Sequence, residues 1–174
     1  MYKVLAYIFV AITLFTLNVR DSYAEISTAD ASASLATDTK EFDYRVYKLK
    51  KYLDSHNSPL ADYSEDFVEY ADTYSLDWRM VPAISGVEST FGKRIPQNSY
   101  NAYGWSNGEY RFSSWENSID HVSMTLQTKY IQKGAASISK IAKRYAPPST
   151  TWGSKVKFFM KKIDPMPLEF ALEG

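Results

Sequence analysis

Apolar residues recur at helical spacing along most of the chain. Between residues 40 and 60, Phe42, Val46, Leu49 and Leu53 share one helix face, and Asn57-Ser58-Pro59 ends the pattern. Between 61 and 76, Phe67, Tyr70, Ala71 and Tyr74 predict a second helix. A third runs through Met80, Ile84, Val87 and Phe91, at i, i+4, i+7 and i+11. Asp77 is expected to cap it, because an acid suits the free N–H groups and positive dipole of a helix start. Pro82 fits only within the first turn. Gly92 is expected to supply the stop, since glycine most readily turns left-handed.

Residues 93–115 break the period. They hold Pro96, Asn98, Gly104, a Ser-Asn-Gly turn at 106–108 and short alternations of Tyr, Trp and Phe, which predict a loop with a small β-hairpin. Ser113 or Ser114 can then cap a helix from Trp115 towards Tyr130, with Glu116 and Asp120 suited to its start and Lys129 to its end. Gly134 stops it. Two shorter helices follow, over 137–146, ended by Pro147-Pro148, and over 149–163, with Trp152, Val156, Phe159 and Ile163; the tail from Asp164 reads as extended. The expected fold class is mainly α, with one small β-hairpin insertion.

Composition adds boundaries. The 174 residues suggest one domain plus extensions. At the N-terminus, Lys3 precedes the 14-residue apolar run VLAYIFVAITLFTL at 4–17, and SYA at 22–24 places small residues around a cleavage point before Glu25. Residues 1–24 therefore read as a signal peptide. The run is shorter than the ~20 residues of a membrane span, so no stable span is expected after cleavage; an uncleaved N-terminal anchor is the alternative. Secretion or residence in the cell envelope follows. Residues 25–39, rich in Ala, Ser, Thr and Asp, read as a disordered linker, and 40–174 as the folded domain. The chain has no Cys, so no disulfide or lipidated cysteine is available and packing alone must hold the core.

Formal charge is zero but divided: residues 25–91 carry 13 acids and 6 bases, and residues 92–174 carry 6 acids and 12 bases. The basic half could attract an anionic polymer such as a cell wall. Nucleic acid is not expected as a partner, because it conflicts with export.

One side chain disturbs the apolar stripe of the third predicted helix. Glu88 follows Ile84 by four and precedes Phe91 by three, which places it at the stripe's border near the helix end. Partial burial disfavours the charged carboxylate and raises its pKa. A carboxyl kept protonated near neutral pH can donate a proton to a leaving alkoxide, as glycosidic cleavage requires. The other outcome of the same spacing is a solvated Glu paired with Arg79, Lys93 or Arg94. Rival chemistries lack parts. There is no Cys, and only His56 and His121 are present, far apart, so no zinc site or thiol nucleophile is expected. HExxH, P-loop and GxGxxG patterns are absent. No metal or other cofactor is expected.

The stretch ESTFGK at 88–93, followed by NAYGW at 101–105, resembles the lysozyme-like superfamily of peptidoglycan-cleaving enzymes, nearest its endo-β-N-acetylglucosaminidase and lytic-transglycosylase branches. FSSWENSIDH at 112–121 and YAPPSTTWGSKV at 145–156 are similar to further segments of that superfamily, in the same order. The likeness covers roughly residues 60–163 and implies a lysozyme-like helical domain acting on the β-1,4-linked, N-acetylated glycan of peptidoglycan. It implies that Glu88 is the general acid, that Ser89 helps orient substrate or water, and that Tyr103, Gly104 and Trp105 line the sugar groove. It also implies that Asn101 binds an acetamido group or braces the turn, and that Tyr145 faces the acid across the cleft. Most glycosidases use two carboxylates. Between Phe91 and Phe112 the sole acid is Glu109, in NGEYRF, and it is the candidate second acid. If it faces solvent, a single-acid mechanism follows. Hydrolysis against transglycosylation, the bond cut, and a non-catalytic glycan-binding role stay open.

Overall fold

The computed structural model describes residues 41–166. The signal peptide and linker expected over 1–39 lie outside these residues, as does the tail beyond Met166. Six α-helices are present among the described residues: α1 Tyr44–Ser55, α2 Ser64–Thr73, α3 Met80–Ser89, α4 Trp115–Thr125, α5 Ile138–Tyr145 and α6 Trp152–Ile163. They belong to a compact unit that begins at Phe42. The architecture is mainly α, and none of the helices is long and apolar enough to cross a membrane among the described residues.

Helix starts follow the expected chemistry in three places. Asp43, Ser114 and Ser137 accept hydrogen bonds from the N–H groups of Arg45, Asn117 and Lys140, so each satisfies a donor that the helix itself cannot. Asp77 does more than the expected capping. The residue preceding α3 is Arg79; the Asp77 carboxylate accepts its backbone N–H at 3.0 Å, as a capping acid does, and also grips its guanidinium at 2.9 and 2.6 Å. Both side chains are buried. Arg79 also donates to the carbonyls of Asp164 and Met166, which pins the chain leaving α6 beside the start of α3.

The central element is α3. Its residues from Met80 to Gly86 are all buried, with α6 packed most extensively against it. A helix enclosed on all sides has no single apolar stripe; Glu88 therefore lies at the end of a buried rod rather than along the edge of an amphipathic one. The helix also ends earlier than Gly92. Thr90, Phe91 and Gly92 are successively left-handed, with φ of 55°, 57° and 77°. This reversal takes Phe91 off the helix and folds its ring back onto Gly86, where a Cβ would come within 2.5 Å of the ring.

Residues 93–114 form no strand among the described residues, so the expected β-hairpin is absent. Ser106 and Asn107 do adopt the left-handed conformation of a tight turn, at φ 51° and 54°. The flanking arms are joined by a side chain instead of a ladder. The Asn101 amide nitrogen donates to the carbonyls of Trp105 and Tyr110 at 2.9 and 3.1 Å, and its oxygen accepts from the Trp105 N–H at 3.1 Å. An amide side chain that satisfies these backbone groups removes the need for strand pairing.

Beyond Thr125, α4 runs into a π-helical turn over Leu126–Tyr130 and a 3₁₀ turn over Ile131–Lys133, before Gly134 at φ 85° ends it. Such π turns are uncommon and often border functional sites. Here the turn carries Tyr130 to within 6.0 Å of the Tyr145 ring.

Candidate active site

Glu88 is the next-to-last residue of α3 and is half-buried. Its Oε1 accepts a 2.6 Å hydrogen bond from the indole N–H of Trp152, the first residue of α6. Its Oε2 lies 2.9 Å from the point that a Cβ on residue 104 would occupy. Residue 104 is glycine at φ 71°, so both the backbone conformation and the space demand Gly there. Among the described residues Glu88 has no ion pair. Lys93 donates to the His56 carbonyl and Arg79 is held by Asp77. Burial raises the Glu88 pKa above the ordinary carboxyl value, and the Trp152 hydrogen bond offsets this only in part. The cation-paired alternative has no counterpart among the described ion pairs, while the carboxyl keeps part of its exposure to water.

Next to the acid, a cleft of about 440 Å³ is lined by Tyr103, Gly104, Trp105, Ser106 and Asn107 from the turn, Thr125 and Tyr130 from the α4 extension, and Tyr145 from α5. Glu88 is not itself one of the lining residues; its Oε2 lies against Gly104, which is. Tyr145 stacks on Trp152, with centroids 4.9 Å apart and planes 25° apart, and its hydroxyl donates to the Tyr103 carbonyl at 2.8 Å. Its phenol is raised well above the ordinary tyrosine pKa, first by burial and then by the negative charge of Glu88. It therefore stays protonated.

The residues expected at the site divide into two sets. Glu88, Gly104, Trp105 and Tyr145 come together as described. Tyr103 contributes its backbone only, because its ring is buried in the core at 1% exposure. Asn101 is also buried, and its amide is spent on the turn. Ser89 is buried as well. Its hydroxyl approaches the carbonyls of Ser85 and Ala102 at 3.0 and 2.9 Å and accepts from the Gly92 N–H. It fastens the end of α3 to the 101–104 segment and does not reach the cleft. Glu109 is exposed beyond the turn and is not part of the cleft lining; its charge gains nothing from facing a low-dielectric groove and stays in water.

Five contributors were not expected from the sequence: Trp152 as a partner of the acid, and Ser106, Asn107, Thr125 and Tyr130 as lining. For Trp152 a signal exists, an aromatic seven residues after Tyr145 across a Pro-Pro break, but its helical spacing with Val156 and Phe159 reads equally as core. Among the described residues no group of three or more His, Cys, Asp or Glu side chains could hold a metal ion. No protein-family model matches this chain, and no curated protein does.

Proposed function

We propose that the chain is an exported lysozyme-like glycosidase that cleaves the β-1,4-linked, N-acetylated glycan of bacterial peptidoglycan, of endo-β-N-acetylglucosaminidase type, with Glu88 as general acid. One observation carries the reading: a half-buried carboxyl in no described ion pair, hydrogen-bonded by an indole and set against Gly104, a residue that lines an aromatic-walled cleft. Such a carboxyl holds its proton at higher pH than a surface Glu and can transfer it to the glycosidic oxygen as the C1–O bond breaks. Trp105, Tyr130 and Tyr145 offer flat faces for sugar rings.

The position of Glu109 favours a single-acid route. The substrate then supplies its own nucleophile. In hydrolysis the 2-acetamido oxygen bonds to C1 as the leaving oxygen takes the Glu88 proton, and water later opens the ring so formed, returning a proton to Glu88. In the transglycosylase variant of the same site the 6-hydroxyl attacks C1, its proton passes to the carboxylate, and an anhydro sugar results. The two routes share Glu88 and differ by one water in the product.

The test is release of sugar ends from purified peptidoglycan by the full chain, with product masses recorded. Glu88→Gln keeps the shape and the Trp152 hydrogen bond but has no proton to give, and a rate loss of at least ~100-fold is expected. Equal rates in the two proteins would remove Glu88 from the chemistry. A wild-type protein that pellets with peptidoglycan yet releases nothing would make the domain a binder.

A further inference from the structure

We propose that Trp152 is a positioning residue that biases the Glu88 proton to Oε2, the oxygen against Gly104, so that the carboxyl presents it on the side of that cleft-lining residue. The kinetic half of this inference rests on the glycosidase reading above; the hydrogen-bond half stands without it.

The argument is one of donor chemistry. An indole N–H donates and never accepts. Oε1, 2.6 Å from Trp152 Nε1, is therefore the acceptor whether or not the carboxyl is ionised. In the neutral carboxyl the carbonyl oxygen is the better acceptor of that bond, so the acid proton is favoured on Oε2, the oxygen against Gly104. The indole itself is fixed from three directions. Its own backbone N–H donates to Ser149 Oγ at 3.0 Å, its ring stacks on Tyr145, and it is 4% exposed. Tyr145 in turn holds the carbonyl of Tyr103, the residue before Gly104. Glu88, Trp152, Tyr145, Tyr103 and Gly104 thus form a closed ring of contacts, and a free carboxyl rotation would break it.

The groups that set the charge state of Glu88 are few. From α6 there is the Trp152 N–H, which favours the ionised form; burial opposes it; and from α5 the Tyr145 phenol is the titratable neighbour coupled to it. No Lys, Arg or His contributes.

Trp152→Phe removes the N–H and keeps a ring to stack on Tyr145. Since the N–H stabilises the carboxylate, its loss moves the Glu88 titration to higher pH. The alkaline limb of the pH–rate profile is expected to move up by roughly half to one unit, while the maximal rate falls about 10-fold as the untethered carboxyl loses its fixed orientation. A variant that lost only packing would lose rate with the limb unmoved, and that result overturns the proposal. Two measurements need no substrate. Carbon-13 titration of the Glu88 carboxyl should give the same upward displacement in Trp152→Phe. In the wild type the Trp152 indole N–H resonance should follow the Glu88 titration, and in Glu88→Gln it should not. An indole signal indifferent to that titration overturns the assignment even if Trp152→Phe does not fold. A full chain inactive on peptidoglycan, with the indole response intact, refutes the proposed reaction and supports the hydrogen-bond assignment.

Discussion

Gly104→Ala is the substitution on which the site geometry stakes most. The added methyl carbon would lie 2.9 Å from Glu88 Oε2, 3.6 Å from its carboxyl carbon and 4.0 Å from Cγ. The first of these is inside normal carbon–oxygen contact. A carboxyl is usually free to swing aside, but here Oε1 is tied to Trp152 at 2.6 Å, so relief of the clash breaks that bond or shifts the turn. The backbone adds its own cost, because alanine at φ 71° is about 1–2 kcal/mol less favourable than in the right-handed region. A Tm lower by roughly 2–8 °C is expected, with a loss of about 10²-fold in rate on peptidoglycan from displacement of the acid. Thermal melting and release of sugar ends measure the two effects. Gly134→Ala separates them: its φ is 85° and a Cβ there meets nothing within 4 Å, so it carries the same backbone cost away from the site. It should lose stability and keep its rate. If both variants lose rate equally, or neither does, the contact between residue 104 and Glu88 is irrelevant to activity.

Other expectations follow from single contacts. Ser89→Ala leaves the buried carbonyl of Ala102 and the Gly92 N–H without their partner and should cost about 1–3 kcal/mol in denaturant unfolding; no loss would mean the fastening is dispensable. Arg79→Met strands the buried Asp77 carboxylate, and a loss of about 3–5 kcal/mol is expected. Glu109→Gln should leave the rate on peptidoglycan unchanged, and a large loss would restore a two-carboxylate mechanism. Glu88→Gln should change stability in a pH-dependent way. The folded-state pKa of Glu88 is raised, so the wild type loses stability as pH rises from the unfolded value through the folded one. The variant should then be the more stable of the two above that window, and its advantage should vanish below it, as read by melting across pH.

The helices were legible because their signals are local. Leu49 and Leu53 in α1, or Val156 and Ile163 in α6, repeat at helical spacing and are buried where that spacing puts them. Glu88 was legible for the same reason, an acid near the end of an apolar run. The rest depends on contacts between distant segments. The length of α3 is set by three left-handed residues, two of them not glycine, and nothing local marks Thr90 or Phe91 for that conformation. The turn at 106–108 was visible, yet whether its arms pair depended on Asn101, whose amide takes the place of the ladder. Tyr103 and Ser89 looked like site residues from their neighbours in sequence, and burial turned one ring into core and one hydroxyl into a fastener. Trp152 was visible as a helix residue, while its indole N–H pointed at a carboxyl 64 positions earlier.

That separation has a consequence for the growing or refolding chain. Glu88 meets Trp152 across 64 residues, and Tyr145 meets the Tyr103 carbonyl across 42. Contacts so distant in sequence close late, after the entropy of the intervening loop has been overcome. Without α6 against α3, Glu88 lacks the indole donor on its Oε1. The proposed chemistry therefore requires two elements far apart in sequence: α3 carries the acid, and α6 brings the donor that orients it.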